Sequence, residues 1–144
     1  MTENAPDPAL KRLDKLVGTW RVSGPDIKGT TRYEWLDGSF FLMQHFDFIH
    51  GGRKVTGLEV IGFERPFGAE PSKDVRSRIF DNEGNTFDYV YEVTDETLTI
   101  WAGEKGSPAR YRGVWSEDGN TCAGAWVYPG GGYESTMTRS GGER

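Results

Sequence analysis

The sequence predicts an all-β fold: an up-and-down antiparallel β-barrel of about ten strands with a short helix at its N-terminal end. Three observations carry this expectation. Turn signals such as Asp37-Gly38, Gly51-Gly52, Asp95-Glu96 and Asp118-Gly119 punctuate short runs rich in β-branched and aromatic residues. Once those turns set the hairpin registers, each run has a mostly apolar face and a mostly polar one. No segment after residue 17 keeps a sustained 3.6-residue period. A meander this long loses its exposed edges by closing on itself.

The elements follow in order. Residues 8–17, "PALKRLDKLV", place Leu10, Leu13, Leu16 and Val17 at helical spacing behind Asp7-Pro8, an N-cap and first-turn proline. This helix is expected to lie over one end of the strands. The first seven residues and the C-terminal "SGGER" read as frayed ends. In "KLVGTWRVSG" Gly18 turns the chain, Trp20 and Val22 point inward, and Arg21 faces water. "WLDGSF" predicts a type I′ turn pairing Leu36 with Ser39 and Trp35 with Phe40. "FIHGGRKV" pairs His50 with Arg53, Phe48 with Val55, Phe46 with Gly57, Gln44 with Glu59 and Leu42 with Ile61. "FDNEGNTF" predicts a three-residue loop with Gly84 left-handed, setting Ser77 beside Tyr89, Arg78 beside Asp88 and Ile79 beside Phe87. "VTDETL" pairs Val93 with Leu98, and "SEDGNT" pairs Trp115 with Cys122. Gly130-Gly131-Gly132 reads as a hairpin connection, lacking the strand-then-helix context of a phosphate loop.

Directly paired residues share a face of an antiparallel sheet, so the faces can be followed from strand to strand. The apolar face runs from Tyr33, Trp35 and Phe40 through Leu42, Gln44, Phe46, Phe48, Val55, Glu59, Ile61 and Phe63. It resumes, past "RPFGAEPSKD", with Val75, Ser77, Ile79, Phe87, Tyr89, Tyr91, Val93, Leu98 and Ile100. The opposite face holds Arg32, Glu34, Asp47, Lys54, Thr56, Arg76, Arg78, Asp88, Glu92 and Thr99. Turns chosen on local chemistry alone thus agree on one continuous interior, the consistency expected of a foldable sequence.

At 144 residues the chain fits one domain, expected over residues 8–140. A net charge of −5 argues against a nucleic-acid surface, and no apolar run is long enough to span a membrane. The single cysteine, Cys122, rules out an intramolecular disulfide and a cysteine-rich zinc site. The N-terminus "MTENAPDPAL" has neither the basic nor the apolar region of a signal peptide, so a cytoplasmic location is the default expectation.

Gly18-Thr19-Trp20 followed by a meander resembles the calycin superfamily, the lipocalins and fatty-acid-binding proteins. There a Gly-x-Trp marks the first strand and its Trp packs across the closed end. "WLDGSFFLMQHFDF", "GLEVIGFER" and "DNEGNTFDYVYEVTDETLTI" are similar to a group of small, largely uncharacterised bacterial lipocalin-like domains, a likeness covering most of the chain. "GLEVIGFER" also resembles the nitrobindin-type haem-binding barrels. Those share a C-terminal histidine that ligates iron, whereas this chain ends in "YESTMTRSGGER" with none, and no cofactor is expected.

The sharpest chemical feature is Gln44 opposite Glu59 on the apolar face. An unpaired carboxylate there costs several kcal/mol to bury, so it must be hydrogen-bonded, protonated or facing a wet cavity. An internal pair that satisfies itself and a polar anchor of a ligand pocket both fit. Tyr33, Tyr89, Tyr91, Tyr111 and Ser77 are the other inward polar tips, with Trp35 and Phe46 adding rings. The leading expectation is therefore non-enzymatic binding of a small, largely apolar molecule by Gln44, Glu59, Tyr33, Trp35, Phe46, Ser77, Tyr89, Tyr91 and Tyr111. Two alternatives stand beside it. One is an enzyme on a small lipophilic substrate, with Glu59 as general base and a tyrosine as acid. The other is a solid-core barrel acting through its surface, as a homodimer for example. Arg110 and Arg112 alternate with Tyr111 and read as outward, with Ala123 and Ala125 opposite; an inverted face would aim them inward to hold a carboxylate. His45 and Asp47 share the outer face without a third ligand, and both histidines, His45 and His50, read as solvated. Cys122 is expected inside and inert.

Overall fold

The computed structural model describes residues 5–140. Ten strands follow an N-terminal 3-10 helix, Pro8–Leu16. They are β1 Gly18–Ser23, β2 Ile27–Trp35, β3 Phe41–His50, β4 Arg53–Gly62, β5 Val75–Asp81, β6 Thr86–Val93, β7 Thr97–Ala102, β8 Arg110–Trp115, β9 Thr121–Tyr128 and β10 Gly131–Arg139. Every strand pairs antiparallel with its sequence neighbour, and β1 pairs with β10 to close the barrel.

The helix is a 3-10 helix because its leucines repeat every three residues. Leu10, Leu13 and Leu16 eclipse one another at three residues per turn and are all buried, whereas Val17 leaves the helix in extended conformation and is half-buried. Asp7 belongs to this element rather than to a frayed end: its carboxylate accepts the Ala9 amide at 2.9 Å. Ser140 likewise donates its amide to the Thr19 carbonyl at 2.8 Å. The remaining expectation of frayed termini, for residues 1–4 and 141–144, lies outside the described residues.

The helix covers the barrel end where β1, β3, β5, β7 and β9 begin. Trp20 is fully buried there, its indole N–H donating to the Leu16 carbonyl at 2.8 Å. Gly18 turns into β1 at φ 123°, a backbone region that disfavours any side chain. Arg139, at the end of β10, lies 4.1 Å above the Trp20 ring and donates to the Val17 and Lys15 carbonyls, tying the last strand to the helix.

The hairpin registers of β3–β4, β5–β6, β6–β7 and β8–β9 match the sequence expectation residue for residue. The β2–β3 hairpin differs. Trp35 pairs with Leu42 rather than Phe40, because residues 37–40 form a four-residue loop and Ser39 takes a positive φ of 63°. Asp37 keeps a negative φ, so the turn is not type I′. The slip changes Trp35's partner by two residues, and side-chain direction repeats every two, so no residue changes face.

Arg110 and Arg112 point outward while Tyr111 and Trp115 are buried. Arg112 stands opposite Ala125, and Arg110 opposite Val127 rather than an alanine. On the same outer face Arg76 meets Glu104 at 3.2 Å, and Arg78 meets Glu64 at 3.5 Å and Asp88 at 3.6 Å. The polar face is not uniformly wet. Val90 and Thr99 are buried on it, where the β7–β8 connection folds back: the Gly103 amide donates to the Asp88 carbonyl, and Lys105 pairs with Glu92 at 3.0 Å. No helix among the described residues is long and apolar enough to cross a membrane.

Candidate functional site

A cavity of about 210 Å³ occupies the barrel between mid-height and the end opposite the helix. It is the volume of roughly seven waters at liquid density. The barrel is therefore not filled by its own side chains at this end. Strand polarity places the opening where β2, β6 and β10 begin and β3, β5 and β9 end. There His50 and Asp81 are half-buried and Phe87 is 45% exposed.

Two aromatic walls flank the space. On one side Phe46 and Phe48 of β3 stack with centroids 5.5 Å apart, and at the mouth His50 of the same strand reaches to 4.4 Å from Tyr133 of β10. On the other, Trp126 of β9 stands 5.6 Å from Tyr89 of β6 and 5.6 Å from Tyr111 of β8. Period-two alternation brings these rings inward, and the closed register brings β3 across from β6, β8 and β9, with β10 beside β9. Gly57, opposite Phe46, makes room: a Cβ there would collide with the Phe46 ring and the Phe80 carbonyl.

Glu59 lies at the base and is 1% exposed. Its Oε1 accepts from the Gln44 amide at 2.5 Å and the Tyr91 hydroxyl at 2.8 Å, and its Oε2 accepts from Ser77 at 2.6 Å. Thr31 completes the chain, donating to the Gln44 carbonyl oxygen at 2.7 Å and fixing the amide so that its NH2 faces Glu59. Burial pushes the Glu59 carboxyl up from 4.5 to about 7, and the bonds from Ser77, Tyr91 and Gln44 hold it from rising further. The same burial, with the Glu59 charge next, raises the Tyr33 and Tyr91 hydroxyls well above 10.

Tyr33, Gln44, Phe46, Glu59, Tyr89, Tyr91 and Tyr111 all line the cavity. Ser77 sits behind Glu59 and steadies it without reaching the space. Trp35 lies elsewhere: it packs under the N-terminal helix, its indole N–H donating to the Asp14 carboxylate at 2.8 Å. Pairing parity fixes which face a residue joins, but its height along the barrel follows from position in the strand. Trp35 ends β2 at the closed end.

The sequence reading missed Thr31, Trp126, Tyr133 and Asp81 as members of the site, and took His50 for a solvated side chain. His50 instead packs its ring against Tyr133 at the mouth, tilted by 49°. The signal for Tyr133 was present in the Pro129-Gly130 turn, which pairs Tyr133 with Trp126. His45 is held by Glu34 at 3.0 Å, and Asp47 by Lys54 at 3.4 Å. Among the described residues no group of three or more metal-ligating side chains converges. Cys122 is fully buried against Tyr111, and burial raises its thiol to about 11.

No family model matches the chain, and no curated protein is similar enough to count as a relative.

Proposed function

We propose that the barrel is a non-enzymatic binder of a small, largely apolar molecule. The observation that carries this reading is a cavity of about 210 Å³ between facing aromatic walls with a hydrogen-bonded, fully buried carboxylate at its base. Apolar walls with few convergent polar groups are the usual make-up of small-molecule sites. The rings supply contact area, while Glu59 and Gln44 orient the one polar group of the guest. Kinship with the calycin barrels is part of the proposal, resting on Gly18-Thr19-Trp20 and supported by the burial of Trp20 under the helix at the closed end.

The Glu59 titration near neutrality favours a second reading, in which Glu59 is a general base. The partner acid weakens it. Tyr33 and Tyr91 hold their protons far above neutral pH, so neither gives one up readily. Binding without chemistry is the better account.

Native mass spectrometry of freshly purified protein tests it, with a thermal-shift screen of small aromatic compounds alongside. A retained small-molecule adduct, or a saturable rise in Tm that Trp126→Ala abolishes, is expected. Protein that carries no adduct and responds to no compound overturns the proposal.

A further inference from the structure

We propose that the guest is cationic: a small primary or secondary organic ammonium ion whose N–H donates to Glu59 while its apolar part lies between the aromatic walls. This inference rests on the ligand-binding reading above and names the ligand class.

The argument is one of charge and of acceptor geometry. All ten strands contribute to the cavity wall, and the titratable groups facing it are few. Glu59 lies at the base, Asp81 and His50 at the mouth, and between them are the hydroxyls of Tyr33, Tyr89, Tyr91, Tyr111 and Tyr133. Among the described residues no lysine or arginine lines the cavity. The arginines adjacent in sequence to wall residues, Arg21, Arg32, Arg78, Arg110 and Arg112, alternate with them and stand on the outer face. Behind Glu59 the groups in contact are the neutral Gln44, Ser77 and Tyr91. An ionised Glu59 therefore has hydrogen bonds but no countercharge in the protein, the arrangement in which a cation is most strongly favoured.

A carboxylate offers about four acceptor positions. Gln44 and Tyr91 take those on Oε1, and Ser77 takes one on Oε2, which leaves one on Oε2 for an incoming N–H. Among the described residues, Tyr33, itself 5% exposed and in the wall, has no hydrogen-bond partner for its hydroxyl and can accept a second ammonium proton. The faces of Trp126, Tyr89 and Tyr111 add the quadrupole attraction that aromatic surfaces exert on a desolvated cation. Asp81, kept ionised by the Asn85 and Glu83 amides, extends the negative potential to the mouth. An anionic guest meets the opposite: a second negative charge beside Glu59. A neutral alcohol can bond to Oε2 but leaves the charge unpaired.

The test compares three probes of one shape: 2-phenylethylamine, 2-phenylethanol and 3-phenylpropionate. Their affinities are measured by isothermal calorimetry, with cavity-residue NMR shifts confirming the site. At about pH 8.5, above the Glu59 titration, the amine is expected to bind about tenfold or more tightly than the alcohol, and the propionate weakest. At about pH 5.5 the amine remains protonated while Glu59 gains its proton, and the amine's advantage should shrink several-fold. Glu59→Gln should abolish the preference at both pH values while still binding the alcohol, which shows that the cavity is intact. An alcohol or propionate that binds as tightly as the amine at high pH overturns the cationic assignment and leaves the binding reading standing. If none of the three shifts any cavity signal, both fail together.

Discussion

Glu59→Gln isolates the electrostatics of the base of the cavity. In the folded protein the Glu59 carboxyl holds its proton to about pH 7, whereas in the unfolded chain it releases it near 4.5. The native state therefore binds more protons across that window, and this residue's contribution to stability falls as pH rises through it. The contribution is complete below about pH 4.5 and lost above about pH 7. At about 1.36 kcal/mol per pH unit, the interval amounts to about 3 kcal/mol. Glutamine fits the same bonds: its carbonyl oxygen in place of Oε1 accepts from Gln44 and Tyr91, and its NH2 in place of Oε2 donates to the Ser77 hydroxyl. Urea denaturation of both proteins at about pH 5 and about pH 8.5 reads the difference. Other carboxylates titrate equally in both, so the difference between the profiles reports Glu59 alone. With a urea m value of about 2 kcal/mol/M, the wild-type midpoint should fall by about 1.5 M relative to the variant between the two conditions. Parallel profiles would refute the claim that the buried carboxyl is forced to ionise at a cost.

Further substitutions probe the rest of the frame. Trp20→Ala should destabilise the fold by about 3–5 kcal/mol in the same assay, since a fully buried ring and its bond to Leu16 both go; a loss under about 1 kcal/mol would deny its role as the plug of the closed end. Gly57→Ala drives a methyl into the Phe80 carbonyl and the Phe46 ring, and a loss of about 1–3 kcal/mol is expected by thermal unfolding, with weakened probe binding; an unchanged Tm contradicts the close approach. Cys122 should resist iodoacetamide at pH 8 until the protein unfolds, because its thiol is buried and titrates near 11; rapid alkylation of the native protein would place it elsewhere.

Particular residues show why the sequence carried some of this and not the rest. Gln44 could be set opposite Glu59 because one Gly-Gly turn fixes the β3–β4 register, and register is a local property of the hairpin. Tyr33 and Tyr89 could be placed inside by following parity from pair to pair, and Tyr111 by the apolar face it shares with Trp115 and Trp126. Trp35 obeys the same parity and was assigned to the site, yet it lies under the helix, because parity says nothing of height along the barrel. The Asp37-Gly38 signal predicts a strand position for Phe40, which belongs to a loop, since a positive φ at Ser39 is not written in the residue type. The 3-10 helix was readable from the three-residue spacing of its leucines, which an α-helical template absorbs without distinction.

The sequence by itself determined the strand order, four of the hairpin registers, the inward and outward faces, and the conflict of a carboxylate on an apolar face. Each follows from interactions between residues close along the chain. Only the tertiary structure decided what the carboxylate meets. Ser77 and Tyr91 reach Glu59 from 18 and 32 positions away, and Tyr133 and Trp126 come to face Phe46 and Phe48 only when β10 closes onto β1. Closure curvature sets the separation between the walls, and that separation is what leaves a cavity of about 210 Å³ where alternation alone would equally have allowed a filled core.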